Sequence, residues 1–302
     1  MKTKIGILLI IIFVVLTGSC KIFMKATDVG AQAAGATGLI NSNWASAISS
    51  SARAIGAAAE EITPEQEYFI GRAVAANILT NYRLWTGNST LTAYLNNICA
   101  AITINSPRPS IFKGYFVAIL DTNEINAFAT PGGHIFITRG LLNVTRSEDA
   151  LAAVIAHEVA HIQLMHGIKA IRNSRITQAL VVTGTSAASA AGLDVGQLTS
   201  VFNESVGEIV NTMTRNGYSQ VQEFEADTAA MRLMASAGYN PSGLITMLEA
   251  LRSAQSSNAG FGRTHPTPAQ RITNANRTVS SFRVTDNSSQ RQARFSSATR
   301  NR

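Results

Sequence analysis

Hydrophobic and polar positions change their rhythm several times along the chain. Ile5 to Leu16 is an unbroken apolar run apart from Gly6. Residues 21–60 are rich in Ala, Gly and Ser and hold few large apolar side chains. From residue 63 the texture becomes helical. In "TPEQEYFIGRAVAANILTNY", Thr63 predicts a cap, Pro64 suits the first helical position and Gln66 completes a capping box, so a helix is expected to about Tyr82. "STLTAYLNNICAAITI" predicts a second helix. "GYFVAILDT", "INAFAT" and "HIFITRG" are short, alternating and rich in β-branched and aromatic residues, and predict three strands, the last two joined through "PGG".

Helical spacing then returns. "TRSEDALAAVIAHEVAHIQLMHG" predicts a long helix with Thr145 and Glu148 as its capping box and Gly167 as its end. "QALVVTGTSAASAAGL" predicts a helix with a small-residue face, too short and polar for a membrane span. "VFNESVGEIVNTMTRNGYS" predicts a helix and loop, and residues 195–218 are expected to lie over a cleft as a lid. "QEFEADTAAMRLMASAG" is a helix stopped at Gly238, and "NPSGLITMLEALRSAQ" another, with Asn240 as cap. From about Ser281 the chain is polar and Arg/Ser-rich and is expected to be disordered. The fold class is α+β, mainly α, with a small sheet.

The first apolar run follows Lys2 and Lys4, which is the pattern of a signal peptide. "LTGSC" resembles a bacterial lipoprotein processing site, with Cys20 as the lipid-modified residue and Thr17 standing where leucine is usual. The expected organisation is a signal at 1–19, a tether at 20–60, one domain at 61–280 and a tail at 281–302. Lys21 after Cys20 is not the aspartate associated with inner-membrane retention, which favours the outer membrane of a Gram-negative envelope, facing the periplasm. The other cysteine, Cys99, lies among apolar residues and is expected to be a buried, inert thiol.

Formal net charge is +7. No basic stripe interleaved with aromatics appears, so nucleic acid is not an expected partner.

Chemistry enters at "HEVAH", residues 157–161. Positions i and i+4 share a helix face, so His157 and His161 can present imidazoles to one ion. Glu158 beside them is placed to act as general base and then acid. Zinc fits best, since it takes neutral imidazole and activates water near neutral pH. The alternative is an amphipathic helix with solvent-facing polar residues. It fits poorly, because Val154, Ile155, Val159 and Ile162 surround the pair.

A third ligand is needed. The pattern HExxHxxGxxH is excluded, since Leu164 and Gly167 occupy its glycine and histidine positions. His166 is one residue out of phase and reads as an end-of-helix residue. "QEFEAD" supplies Glu223 and Asp227, four apart on one face: one can bind the ion while the other orients a ligand histidine, and Glu225 is expected to point elsewhere.

Four stretches in order, "INAFATPGGHIFITRGLL", "HEVAH", "EFEAD" and "THPTPAQRI", resemble the M48 zinc metallopeptidases. Together with the preceding helix they span roughly residues 60–275. Ser219-Gln220 departs from the Ser-Arg common before the family's ExxAD segment.

The resemblance implies a zincin-like domain with its sheet beside the HExxH helix, one zinc per chain and Glu223 as third ligand, with Asp227 in support. It also places the His265 loop near the active site. His265 is expected either to donate to the tetrahedral intermediate or to fill the fourth zinc position at rest. Arg271 is expected to pair with a carboxylate such as Asp227. The strand "GGHIFITRG" would offer its edge to an extended peptide, with Asn126, Ala127, Gly133 and His134 as substrate-binding positions. The expected substrates are misfolded or misassembled envelope proteins. The competing expectation is a chaperone or assembly lipoprotein whose zinc site is latent or structural.

Overall fold

The computed structural model describes residues 62–170, 203–204, 206–254, 264–265, 268–282 and 287–300, with 29 and 31–36. Residues 63–169 and 206–302 group into one compact unit, and residues 1–62 with 170–205 into another. The expected signal, Cys20, most of the tether, the small-residue helix and the beginning of the expected lid lie outside the described residues. The unit that carries the site is therefore interrupted at 170–205, where one run was expected, and it extends past residue 280.

Helix α1 (Pro64–Asn81) begins as its sequence predicts: Thr63 Oγ1 accepts from the Gln66 N–H, and Gln66 Oε1 accepts from the Thr63 N–H. Helix α2 (Ser89–Thr103) is capped by Asn88. Cys99 on α2 is buried, and burial pushes its thiol up to about 12, so it is inert as expected.

The sheet comprises β1 (Phe116–Leu120), β2 (Ala127–Ala129) and β3 (His134–Thr138), in the order β1-β3-β2. β3 pairs in parallel with β1 and antiparallel with β2. The turn Pro131–Gly133 between β2 and β3 holds Gly132 at φ 73° and Gly133 at φ 106°, values that need glycine. Helix α1 lies directly on this turn: a Cβ at Gly71 would sit 1.6 Å from the Pro131 carbonyl oxygen.

This topology corrects one expectation. β3 is the central strand, hydrogen-bonded on both sides, and has no edge to offer. The outer side of β1 is closed by Asn96, whose side chain bonds both the N–H and the C=O of Val117. β2 has a strand partner on one side only among the described residues, and its other side is buried, with Thr212–Asn216 packed close to it. Asn126 and Thr130 bond back to β3, which turns the N–H and C=O groups of Ala127 and Ala129 outward.

After α3 (Arg139–Val144) comes the central helix α4 (Glu148–Gln163). Every residue from Ala150 to Ile162 is buried, so the amphipathic reading fails: a helix apolar all round belongs in a core. Each fully buried Leu or Ile around it contributes about 1.5–3 kcal/mol. The cap is Ser147, which accepts from the Ala150 N–H, and not Thr145, whose hydroxyl donates to the Leu142 carbonyl. The helix also stops earlier than Gly167. Leu164 and Met165 form a turn, Met165 adopts φ 57°, and helical structure resumes at His166.

Helices α5 (Gln220–Ser236) and α6 (Gly243–Ala254) pack on α4, and α7 (Pro268–Thr278) packs on both of them. α5 ends before Gly238, at φ 81°, as predicted.

The tail contradicts its composition. Residues Ser288–Ala298 form a helix, α8, whose Phe295 joins the core. Arg294 Nε donates to buried Glu148 at 3.1 Å, and Arg291 Nε lies 2.9 Å from Asp149 Oδ1. Tyr94 donates to the same Glu148. The tail arginines are counter-ions for the first turn of α4, a pairing over more than a hundred residues that composition does not reveal.

Candidate metal centre

His157 and His161 lie one turn apart on α4, Glu223 on the first turn of α5, and His265 just ahead of α7. All four are buried, and one ligand atom of each lies within 4.8 Å of the others. His157 Nε2 is 3.1 Å from His161 Nε2 and 3.3 Å from His265 Nδ1. Glu223 Oε1 is 3.5 Å from His161 Nε2 and 3.1 Å from His265 Nδ1, and Glu223 Oε2 is 3.5 Å from His157 Nε2. A tetrahedral zinc with bonds of about 2.0–2.1 Å sets its ligand atoms roughly 3.3 Å apart. The donor set fits such an ion in both chemistry and spacing.

Two further observations agree with a cation. Glu158 Oε1 is buried and has no hydrogen-bond partner among the described residues; His265 Nε2 stands 3.7 Å away. Such an atom calls for a partner that the described residues do not supply. The carboxylates of Glu223 and Asp227 also share one buried guanidinium. Arg271 Nη1 is 2.8 Å from Glu223 Oε2, while Nε and Nη2 grip Asp227 at 2.8 and 2.6 Å. The second negative charge is met by a proton on His157, which a bound cation would replace.

The shifts in proton affinity follow from this packing. Burial raises Glu158 above its ordinary carboxylate value, against the opposing pull of His265 and His157. Burial works in the same direction on Glu223, but Arg271, His265 and the two helix histidines outweigh it and hold Glu223 well below the usual range. Asp227 is held at about 2 against burial, chiefly by Arg271. Burial pushes His161 well down, so it is neutral, as a ligand must be. Burial and Arg271 push His157 down too, but Asp227 and Glu223 prevail and lift it to about 9, so a metal must displace a proton there.

Behind the ligands the two histidines differ. His157 Nδ1 lies 3.1 Å from Asp227 Oδ1, itself clamped by Arg271. Asp227 and Arg271 thus stand together behind His157. His161 Nδ1 lies 2.8 Å from His166 Nδ1, and His166 Nε2 lies 3.3 Å from Glu225 Oε2. His166 is fully buried, contrary to its reading as an end-of-helix residue. Glu225 does point away from the ligand face, but it points at His166.

Tyr218 was also missed. Its ring stacks on His161 at 4.1 Å and 19°, and burial beside Glu158 and Glu223 keeps its phenol neutral. The only sequence signal was its place just ahead of the α5 cap.

The remaining site residues are dispersed. Asn126 Oδ1 accepts from the Ala127 N–H and from Thr264 Oγ1, which ties β2 to the segment bearing His265. Gly133 is buried against the Gly114 carbonyl. His134 is half-buried and stacks on Tyr68. Where the family often carries arginine, Gln220 instead donates to Gln270 and links α5 to α7. The described part of the expected lid is helical at 206–211 and ends in the π-helical turn Thr212–Asn216.

Comparison with known sequences gives a consistent picture. The profile of the family described as Peptidase family M48 matches residues 89–279. Mitochondrial metalloendopeptidase OMA1 of Schizosaccharomyces pombe is 33% identical over 150 residues, covering 49% of this chain and 41% of its own length. The Beta-barrel assembly-enhancing protease of Escherichia coli K12 is 25% identical over 201 residues, 64% of this chain and 40% of its own length. Metalloprotease LoiP of the same organism is 28% identical over 187 residues, 61% of this chain and 69% of its own length. The chain thus spans less than half the length of the first two.

Proposed function

Since the chain belongs to peptidase family M48, we propose that it is a zinc-dependent endopeptidase acting on misfolded or misassembled cell-envelope proteins. The observation that carries this reading is the convergence of His157, His161 and Glu223 on one point, beside a Glu158 oxygen that has no partner among the described residues. His157, His161 and Glu223 would hold the ion. When bound, zinc supplies Lewis-acid activation of water and of the substrate carbonyl.

The chain's own residues do the rest. Glu158 takes a proton at a carboxylate oxygen and delivers it to the leaving amine; its raised proton affinity suits it to both halves of that task. Arg271 and Asp227 keep His157 facing inward. An extended peptide that paired with the outward N–H and C=O groups of β2 would be gripped by main chain and so in many sequences, but Ala127 and Ala129 are buried here and would first have to be uncovered. One of those groups, the Ala127 N–H, is already held by Asn126. His265 stands among the ligand atoms at rest, which favours the fourth ligand position over a donor role.

Attachment to the envelope through a lipid on Cys20, on the periplasmic side and favouring the outer membrane, completes the reading. Its support is the "LTGSC" pattern and the bacterial relatives.

The test is Glu158→Gln. It should retain stoichiometric zinc and lose cleavage of an unfolded substrate such as casein by a factor of about 100 or more. Undiminished cleavage would overturn the mechanism, and wild-type protein that binds casein and zinc without cutting would favour the chaperone alternative.

A further inference from the structure

We infer that His166 is a positioning residue: it holds His161 in the single tautomer that leaves Nε2 free for the metal, and Glu225 holds His166 in turn. The inference rests on the zinc reading above and extends it to two residues that are not themselves ligands.

The argument begins with proton counting. His161 Nδ1 and His166 Nδ1 are 2.8 Å apart in a dry environment. Two nitrogens at that distance share one proton, so one donates and the other accepts. His161 Nε2 faces His157 and Glu223, on the side of the ligand atoms. A ligand nitrogen presents a lone pair, so the His161 proton sits on Nδ1 and is donated to His166. His166 Nδ1 therefore accepts, which places its own proton on Nε2. That nitrogen faces Glu225 Oε2 at 3.3 Å. Each tautomer in the chain follows from the next, and the carboxylate ends it. Ligand histidines ordinarily donate directly to a carboxylate or carbonyl; here an imidazole is interposed.

The backbone gives independent support. On an unbroken helix, residues five apart differ by about 140° and do not meet. His161 and His166 meet because α4 breaks between them. Leu164 N–H still bonds to Ala160, Met165 N–H tightens to Ile162, and Met165 then takes φ 57° before the helix resumes with Lys169 N–H bonded to Met165. Met165 is the only non-glycine residue at positive φ among the described residues. A side chain with a Cβ is disfavoured in that left-handed conformation. The strained residue lies directly before the one it redirects.

The test measures metal binding in the full chain, independent of turnover. Zinc affinity is read by competition with a chromophoric chelator, and coordination by the visible spectrum of the cobalt-substituted protein. His166→Leu removes the acceptor; we expect zinc affinity to fall about 10–100-fold with an altered cobalt spectrum. In His166→Asn the amide oxygen replaces Nδ1 as acceptor, and affinity should return to within about threefold of wild type. His166→Gln places its amide at the other end of the ring and should not rescue. Equal affinity in wild type and His166→Leu overturns the inference, as does an Asn variant as weak as Leu. If His166→Leu fails to fold, the Asn and Gln pair carries the test: indistinguishable affinities overturn it. Wild-type protein that binds no zinc would instead refute the zinc reading itself, so the two failures are separable.

Discussion

The two ligand histidines are held from behind in different ways. His157 backs onto Asp227, which is buried and gripped by an equally buried Arg271. His161 backs onto His166, and through it onto Glu225, whose side chain is 49% exposed. One support is dry and charged throughout. The other runs outward and ends in a carboxylate at the water. A buried ion pair gains from low dielectric and costs heavily if broken, whereas an exposed carboxylate is screened. The His157 support should therefore govern stability and metal affinity together, and the Glu225 end only trim the latter.

Four measurements press on that contrast, the strongest first. Arg271→Leu strands two buried carboxylates and should cost about 3–5 kcal/mol of stability in urea unfolding; a loss below about 1 kcal/mol would mean the clamp is not what holds the site. Asp227→Asn keeps the shape but weakens the hold on His157, and zinc affinity should drop about 10–100-fold.

Acid should act on the same side. The folded value of Asp227, about 2, lies below the ordinary 3.8. Its contribution is thus complete above about pH 4 and fades as pH falls through about 2. The size is about 2 kcal/mol. Asp227→Asn should flatten that part of the stability profile, and an unchanged acid limb would assign it to other groups. The smallest effect belongs to Glu225→Gln, a loss of about 0.2–1 kcal/mol in zinc binding that shrinks in high salt. A loss as large as that of Asp227→Asn would erase the distinction between the two supports.

Much of this was legible in the sequence because it is local. Thr63 with Gln66, the β-branched and aromatic content of the strands and the four-residue spacings of His157/His161 and Glu223/Asp227 each act within one element. What was hidden depends on breaks and long-range pairing. Met is a poor candidate for a left-handed residue, so nothing announced the turn at Met165 or the return of His166. β3 read as an edge because strand order is not encoded in any one strand. The tail read as disordered because its arginines meet their carboxylates only in three dimensions.

That last feature bears on how the protein is handled at the bench. A designer trimming the Arg/Ser-rich end for expression would cut near residue 281 and discard α8. The fragment would keep every metal ligand, yet it would expose the apolar seat of Phe295 and leave Glu148 and Asp149 without their arginines. Poor solubility of such a fragment would then report on the missing helix rather than on the metal site.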